Sequence, residues 1–194
     1  MTEVYTIDLY DMDSIKMNWD SLTRHVSPEK LERLRGIRVF KDAARVLAAD
    51  LLVRVLVCQH TGKYNGDIKF GLSRYGKPFL LNGSGELRFN VSHSGRWVAV
   101  SFGACENGVD IQEIRNVRGQ TDPEDFITQW VIREARLKCR GEGMLGRPDE
   151  SLFCKSYSPD ATTRAAVCAV EDGFSELKNI SMEEFLAKCE GLYS

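Results

Sequence analysis

The chain has 194 residues, 43% hydrophobic and 28% charged, with a formal net charge of −2, an ordinary composition with enough apolar material for a sizeable core. That balance supplies no global positive field for nucleic acid, no stretch approaches a membrane span, and the N-terminus lacks the basic and apolar regions of a signal peptide. The six cysteines, Cys58, Cys105, Cys139, Cys154, Cys168 and Cys189, make no C-x-x-C pair and no zinc-ligand spacing with a histidine, so a reduced, cytoplasmic protein is expected.

In chain order, residues 4–9 (V-Y-T-I-D-L) alternate and predict a first strand. A polar connection follows. Ser27-Pro28-Glu29-Lys30 reads as a helix start, with Ser27 as N-cap and Pro28 at the first helical position. Residues 41–59 form the strongest predicted helix: Ala43, Val46, Leu47, Leu51, Val55 and Cys58 recur at three- and four-residue steps, and Gly62 offers a C-terminal stop. Between Lys30 and Arg54 the cations Lys30, Arg33, Arg35, Arg38, Lys41, Arg45 and Arg54 outnumber Glu32, Asp42 and Asp50. This local excess suits an anionic small molecule; a solvated helix face is the plainer alternative.

A short strand is expected at 67–70, a turn at Tyr75-Gly76-Lys77-Pro78 and a second turn at 82–85. Strands at 87–91 and 97–102 flank a Ser92-His93-Ser94-Gly95 bend. The polar run 103–108 marks a boundary between an N-terminal half, 1–106, and a C-terminal half, 107–194. Residues 109–112 read as a short buried strand whose two-residue period puts Asp110 and Gln112 on one face, with Val109, Ile111 and Glu113 on the other. Residues 116–121 are loop. Asp122-Pro123-Glu124-Asp125 starts a helix that runs to about Arg140 and stops at Gly141; on it Trp130, Glu134 and Lys138 share a face. After a connection at 141–149, two final strands are expected at 152–157 and 164–170, then a terminal helix at 182–189. No internal sequence repeat is visible.

Asp110 is an acid in an apolar strand, and an unpaired buried carboxylate is costly. It needs a cation or a metal, and an ion pair with an arginine is the commoner outcome. If a metal, Glu134 is the best second carboxylate, because Mg²⁺ is usually held by one or two carboxylates with phosphates and water; the Gln112 amide oxygen would complete the set. His93, between two serines and before Gly95, can donate to a phosphate or be an ordinary loop histidine. Lys138 can face an anion or pair with Glu134 four residues earlier.

Together these segments resemble the Sfp-type 4′-phosphopantetheinyl transferases. The matching strings are S-P-E-K, K-D-A-A-R-V-L with its L-L-V-R, Y-G-K-P, F-N-V-S-H-S-G-R-W, G-V-D-I and W-x-x-R-E-A-x-x-K, in the family's order from Ser27 to Lys138. The long N-V-S-H-S-G-R-W-V string with G-V-D-I downstream is the specific part. The resemblance implies an α+β fold of two similar halves related by a pseudo-two-fold, here with the second half shortened. It implies an enzyme that moves the phosphopantetheine arm of coenzyme A onto a serine of an apo carrier protein, acyl or peptidyl, and releases 3′,5′-ADP, with Mg²⁺ in the cleft between the halves. Carried over, Asp110, Gln112 and Glu134 would hold the metal, and Glu134, Lys138 and His93 would be catalytic. Ser92, His93 and Lys138 would meet the phosphates; Lys30, Arg33 and Arg45 would cradle the 3′-phosphate; Tyr75, Gly76, Lys77 and Pro78 would line the adenine pocket. With both halves in one chain, a monomer suffices.

The chain departs from the family pattern in three places. Gln112 stands where many members carry a second acid, and Arg133 replaces the usual lysine before the glutamate; arginine is a poor proton acceptor. Only 23 residues separate Asp110 from Glu134, and the family's F-F-x-x-x-E segment, which helps receive the carrier, is absent. These departures keep open a module that binds coenzyme A or a carrier without turnover, and an α+β protein that uses the cleft for another nucleotide.

Overall fold

The computed structural model describes residues 1–81, 83, 85, 87–115, 121–141, 143 and 146–193, the side chain of Tyr193 excepted. The fold is mixed α+β, as expected. Strand β1 (Thr2–Asp8) leads through short helices α1 (Met12–Met17) and α2 (Trp19–Thr23), where only a polar connection was anticipated, to α3 (Pro28–Arg35) and α4 (Phe40–Thr61). Ser27 caps α3 by accepting from the Lys30 amide at 3.3 Å, and α4 stops at Gly62, whose φ of 65° is the left-handed conformation glycine adopts freely. A hairpin of β2 (Phe70–Leu72) and β3 (Pro78–Leu80) precedes β4 (Arg88–Ser94), β5 (Trp97–Gly103) and β6 (Asn107–Glu113). Helix α5 (Pro123–Arg140) then leads to β7 (Phe153–Asp160), β8 (Thr163–Ala169), β9 (Phe174–Ile180) and α6 (Met182–Glu190).

Two sheets carry the architecture. The first has the order β4-β5-β1-β9 and the second β6-β8-β7. Strand, helix and hairpin follow one another in the same way in β1-α4-β4-β5 and in β6-α5-β7-β8, and in both the hairpin's second strand pairs antiparallel with the leading strand. One face of the first sheet packs on α4 through Ile7, Val98, Val100 and Phe102. Its other face, with Val4, Trp97 and Ala99, meets Val109, Ile111, Ala165 and Val167 of the second sheet. The far side of the second sheet packs on α5 through Ala166, Cys168, Val131 and Ala135.

Several local expectations are corrected. The 67–70 segment begins as a 3₁₀ turn (Asn65–Asp67), because buried Asn65 donates to the His25 carbonyl at 2.9 Å and accepts from Arg54 at 3.1 Å, bonds that compete with a strand ladder. Three strands, not two, follow α5: β9 pairs parallel with β1, and α6 adds Phe185 and Cys189 to the core over α4. The wholly reduced set of cysteines is also corrected, since Cys154 and Cys168 face each other across β7 and β8 and are joined in a disulfide. Residues 82, 84 and 116–120, within the expected 82–85 turn and 116–121 loop, lie outside the described residues. Among the described residues, no helix is long and apolar enough to cross a membrane.

Candidate functional site

The site forms where edge strand β4 runs beside edge strand β6. Side chains rather than a backbone ladder join them. Asn90 Oδ1 accepts from the Val109 amide at 3.0 Å, Ser92 Oγ donates to Asp110 Oδ1 at 2.8 Å, and Ser94 Oγ donates to Gln112 Oε1 at 2.9 Å. Ser92, His93 and Ser94 were expected in a bend, but β4 continues through Ser94 and turns at Gly95. Gly95 has φ 56°, and a Cβ there would collide with the Glu113 carboxylate. The extra strand length has a chemical consequence. Ser92 and Ser94 point to β6, and His93 points to the opposite face, over α4.

Helix α5 closes the site. Asp122 caps it, accepting from the Glu124 and Asp125 amides at 3.1 and 3.0 Å, and Pro123 takes the first helical position. The helix lies directly on β6 because residue 108 is glycine. A Cβ there would be driven into the Ala135 carbonyl and the Cys139 amide nitrogen, with Cys139 Cα at 2.8 Å. Lys138 therefore reaches β6 and donates to Asp110 Oδ1 at 2.6 Å and to Ser92 Oγ at 2.9 Å. The partner of Asp110 is thus a lysine, not an arginine, and Lys138 does not pair with Glu134 along the helix. Glu134, 7% exposed, accepts from its neighbour Arg133 at 2.8 Å, and Trp130 stands exposed further along the same stripe.

Asp110 is 3% exposed, and its Oδ2 is buried with no hydrogen-bond partner. A buried carboxylate oxygen without a partner is costly and fits a cation. Gln112 is less suited to one, because its amide oxygen already accepts from Ser94. Among the described residues no group of three or more His, Cys, Asp or Glu is placed to hold a metal; the donor set here is two carboxylates and an amide.

Arg45 approaches from α4, its guanidinium on the Gly95 carbonyl oxygen and on Asp42, while its buried Nε lacks a partner. His93 is exposed to solvent on this face, yet partial burial of its ring, then the positive charges of Arg45 and Lys138, lower its pKa from the ordinary histidine value, which favours the neutral ring that can donate one N–H. Arg45→Met is expected to move the His93 pKa upward in an NMR titration; no movement would mean that burial and the Lys138 charge set it without Arg45.

The other expected residues lie in different settings. Lys30 pairs with Asp50 at 2.9 Å, and Asp50 also pairs with buried Arg54 at 2.7 Å; Arg33 is exposed on α3. Tyr75 is exposed, Gly76 turns the hairpin at φ 84°, and Pro78 opens β3. The Lys77 ammonium bonds to Glu106, to Asn107 and to Cys139. The structure thus brings Ser92, Asp110, Lys138 and, through Ser94, Gln112 together, with Arg45 and His93 beside them; among the described residues no hydrogen bond or ion pair links Lys30 or Arg33 to this group. Sequence reasoning missed Gly108 and Ser94. The alternation of N-V-S-H-S, continued as strand, would have placed Ser94 on the Ser92 face.

Comparison with known proteins agrees with the motif reading. Residues 13–104 match the family model described as 4′-phosphopantetheinyl transferase, N-terminal. The chain is 28% identical over 202 residues to the 4′-phosphopantetheinyl transferase Sfp of Bacillus subtilis (strain 168), covering 83% of this chain and 90% of that protein. It is 24% identical over 229 residues to the 4′-phosphopantetheinyl transferase psf-1 of Bacillus pumilus, covering 96% and 98%. To the 4′-phosphopantetheinyl transferase gsp of Aneurinibacillus migulanus it is 29% identical over 143 residues, covering 63% and 59%. The resemblance to the Sfp-type 4′-phosphopantetheinyl transferases is borne out.

Proposed function

We propose that this chain, a relative of the Sfp-type 4′-phosphopantetheinyl transferases over most of its length, transfers the 4′-phosphopantetheine of coenzyme A to a serine of an apo carrier protein, acyl or peptidyl, as a holo-[acyl-carrier-protein] synthase does. The observation that carries this reading is Asp110, buried with one oxygen on Lys138 and Ser92 and the other without a partner. In the reaction the serine oxygen forms a bond to the pantetheine-bearing phosphorus of coenzyme A. The bond from that phosphorus to the bridging pyrophosphate oxygen breaks, 3′,5′-ADP leaves with the electron pair, and the serine proton passes to Glu134 or to a water it orients. Lys138 faces a pyrophosphate oxygen and stabilises the charge that grows on the leaving group. Ser92, whose one proton goes to Asp110, lies beside the phosphates, neutral His93 donates to a phosphate oxygen, and Arg45, with Lys30 and Arg33, supplies the positive field for the 3′-phosphate. Tyr75, Gly76, Lys77 and Pro78 offer the adenine a turn.

Mg²⁺ would be held by Asp110 and Glu134, with Gln112 directly or through water, and would neutralise the pyrophosphate. The unpartnered Asp110 Oδ2 supports this assignment. Functionally the chain divides into a nucleotide platform, 1–106, and a half that bears the carboxylates, 107–194. A pseudo-two-fold between them is supported by the shared strand order of β4-β5-β1 and β7-β8-β6. A cytoplasmic monomer fits this role.

The test is mass spectrometry of several apo carrier proteins incubated with the protein, coenzyme A and Mg²⁺. A phosphopantetheine-sized mass gain that EDTA abolishes is expected. Gln112, whose oxygen accepts from Ser94, favours a second reading, a weak or inactive member that binds coenzyme A or a carrier. Coenzyme A binding with no mass gain on any carrier would select it.

A further inference from the structure

The turn of the β2–β3 hairpin is tied to the reaction site by one side chain. Lys77 Nζ donates to the Cys139 carbonyl oxygen at 2.8 Å, to Glu106 Oε2 at 2.9 Å and to the Asn107 carbonyl oxygen at 3.0 Å. An ammonium has three donors, so all are engaged, and only 14% of the side chain is exposed. No donor remains for a nucleotide. The acceptors belong to particular elements. Cys139 lies in the last turn of α5, where carbonyls lack intrahelical partners and the helix dipole favours a cation. Asn107 opens β6, and Glu106 immediately precedes it. Arg88 of β4 holds the other Glu106 oxygen at 2.6 Å. Burial works to raise the Glu106 pKa, but the bonds from Lys77 and Arg88 outweigh it and hold the carboxyl below its ordinary value, so the carboxylate is charged at neutral pH.

The two elements joined by Lys77 are those that carry the chemistry. Lys138 immediately precedes Cys139, Asp110 lies three residues beyond Asn107, and Gly108 lets the two backbones touch between them. The Lys77 stem also passes over the cap of α5, so that a Cβ at Gly141 would lie 3.4 Å from Lys77 Cδ.

We propose that Lys77 is a positioning residue for the transfer reaction: its ammonium clamps the last turn of α5 to the start of β6 and so holds Lys138 against Asp110 and Ser92, while the backbone of its own turn meets the nucleotide. This rests on the transferase reading above and separates the roles of one residue, with the main chain facing the ligand and the side chain facing the protein. It also links the two ends of the substrate site, because whatever orders the 75–78 turn bears on the position of Lys138.

The test is Lys77→Met, which keeps most of the stem and removes the ammonium. Three readouts are taken: steady-state transfer with coenzyme A varied, calorimetric binding of 3′,5′-ADP, and hydrogen exchange by mass spectrometry. Misplacement of catalytic groups by a fraction of an ångström to an ångström predicts a fall in kcat of roughly 10- to 100-fold. The dissociation constant of 3′,5′-ADP should stay within about twofold, since no nucleotide-facing donor is lost. Exchange should quicken in 107–113 and in the last turn of α5, and stay unchanged in β1 and β5.

Weakening of 3′,5′-ADP binding by about tenfold or more would make the side chain a nucleotide ligand and overturn the proposal. Unchanged kcat with a lower melting temperature would reduce Lys77 to a structural tie and overturn it as well. If Lys77→Met does not fold, Glu106→Gln weakens only one of the three bonds and should show the same split at about threefold in kcat; no split would again overturn it. A wild-type protein that transfers to no carrier removes the transferase reading and this assignment with it. A wild type that transfers and a Lys77→Met that matches it removes this assignment alone.

Discussion

Asp110→Asn is expected to lower kcat/KM for transfer to a carrier protein by about 10²- to 10³-fold, the scale seen when one preorganised electrostatic partner of a reacting centre is lost. The substitution preserves shape and an acceptor for Ser92, and removes only the negative charge that faces Lys138 and the cation site. Its stability cost should be small, about 1 kcal/mol, because Lys138, with 31% of its side chain exposed, can turn to water. Lys138→Met would be a poorer probe. It would leave Asp110 buried beside one hydroxyl, at a cost toward the lower end of about 3–5 kcal/mol, and activity and folding would fall together. Thermal melting beside steady-state transfer separates the two effects. Full activity in a normally folded Asp110→Asn would place the reaction elsewhere.

Among the described glycines, Gly108→Ala should be the most damaging added methyl group. The added carbon would press on the Ala135 carbonyl and on the backbone of Cys139, with Cα at 2.8 Å, and helix backbone cannot rotate aside as a side chain can. Overpacking of this kind costs about 2–3 kcal/mol, a fall in melting temperature of roughly 4–12 °C for a chain of this size. If α5 moves away instead, Lys138 withdraws from Asp110 and kcat falls in the fraction that remains folded. Melting as wild type with unchanged kcat would show that β6 and α5 do not need so close an approach.

Some of this was legible in the residues. Ser27-Pro28 and Asp122-Pro123 announced helix starts and Gly62 and Gly141 helix stops, because capping depends on a few adjacent dihedrals and donors. The alternation of Val109, Asp110, Ile111 and Gln112 placed the acid and the amide on one face and the two apolar residues in the core between the sheets. Strand β9 was not legible, because F-S-E-L-K-N-I does not alternate cleanly; it is a strand because β1 offers it a parallel edge. Helices α1 and α2 are short and depend on packing against α4 through Ile15 and Leu22. The Cys154–Cys168 bond needed the pairing of β7 with β8, which residue spacing does not state.

What the sequence by itself determined is the chemistry on offer. An acid sits in an apolar strand, a glutamate and a lysine share one helical face, a serine and a histidine lie in one string, and the order of these strings marks the family. Period and capping are local, so short windows carry them. What only the tertiary structure decided is who meets whom. Lys138 takes Asp110 rather than Glu134, Lys30 takes Asp50, and Lys77 takes the end of α5. Each of these pairs joins residues far apart in the chain, and each depends on how closely two backbones approach, as at Gly108, where the absence of one carbon sets the distance.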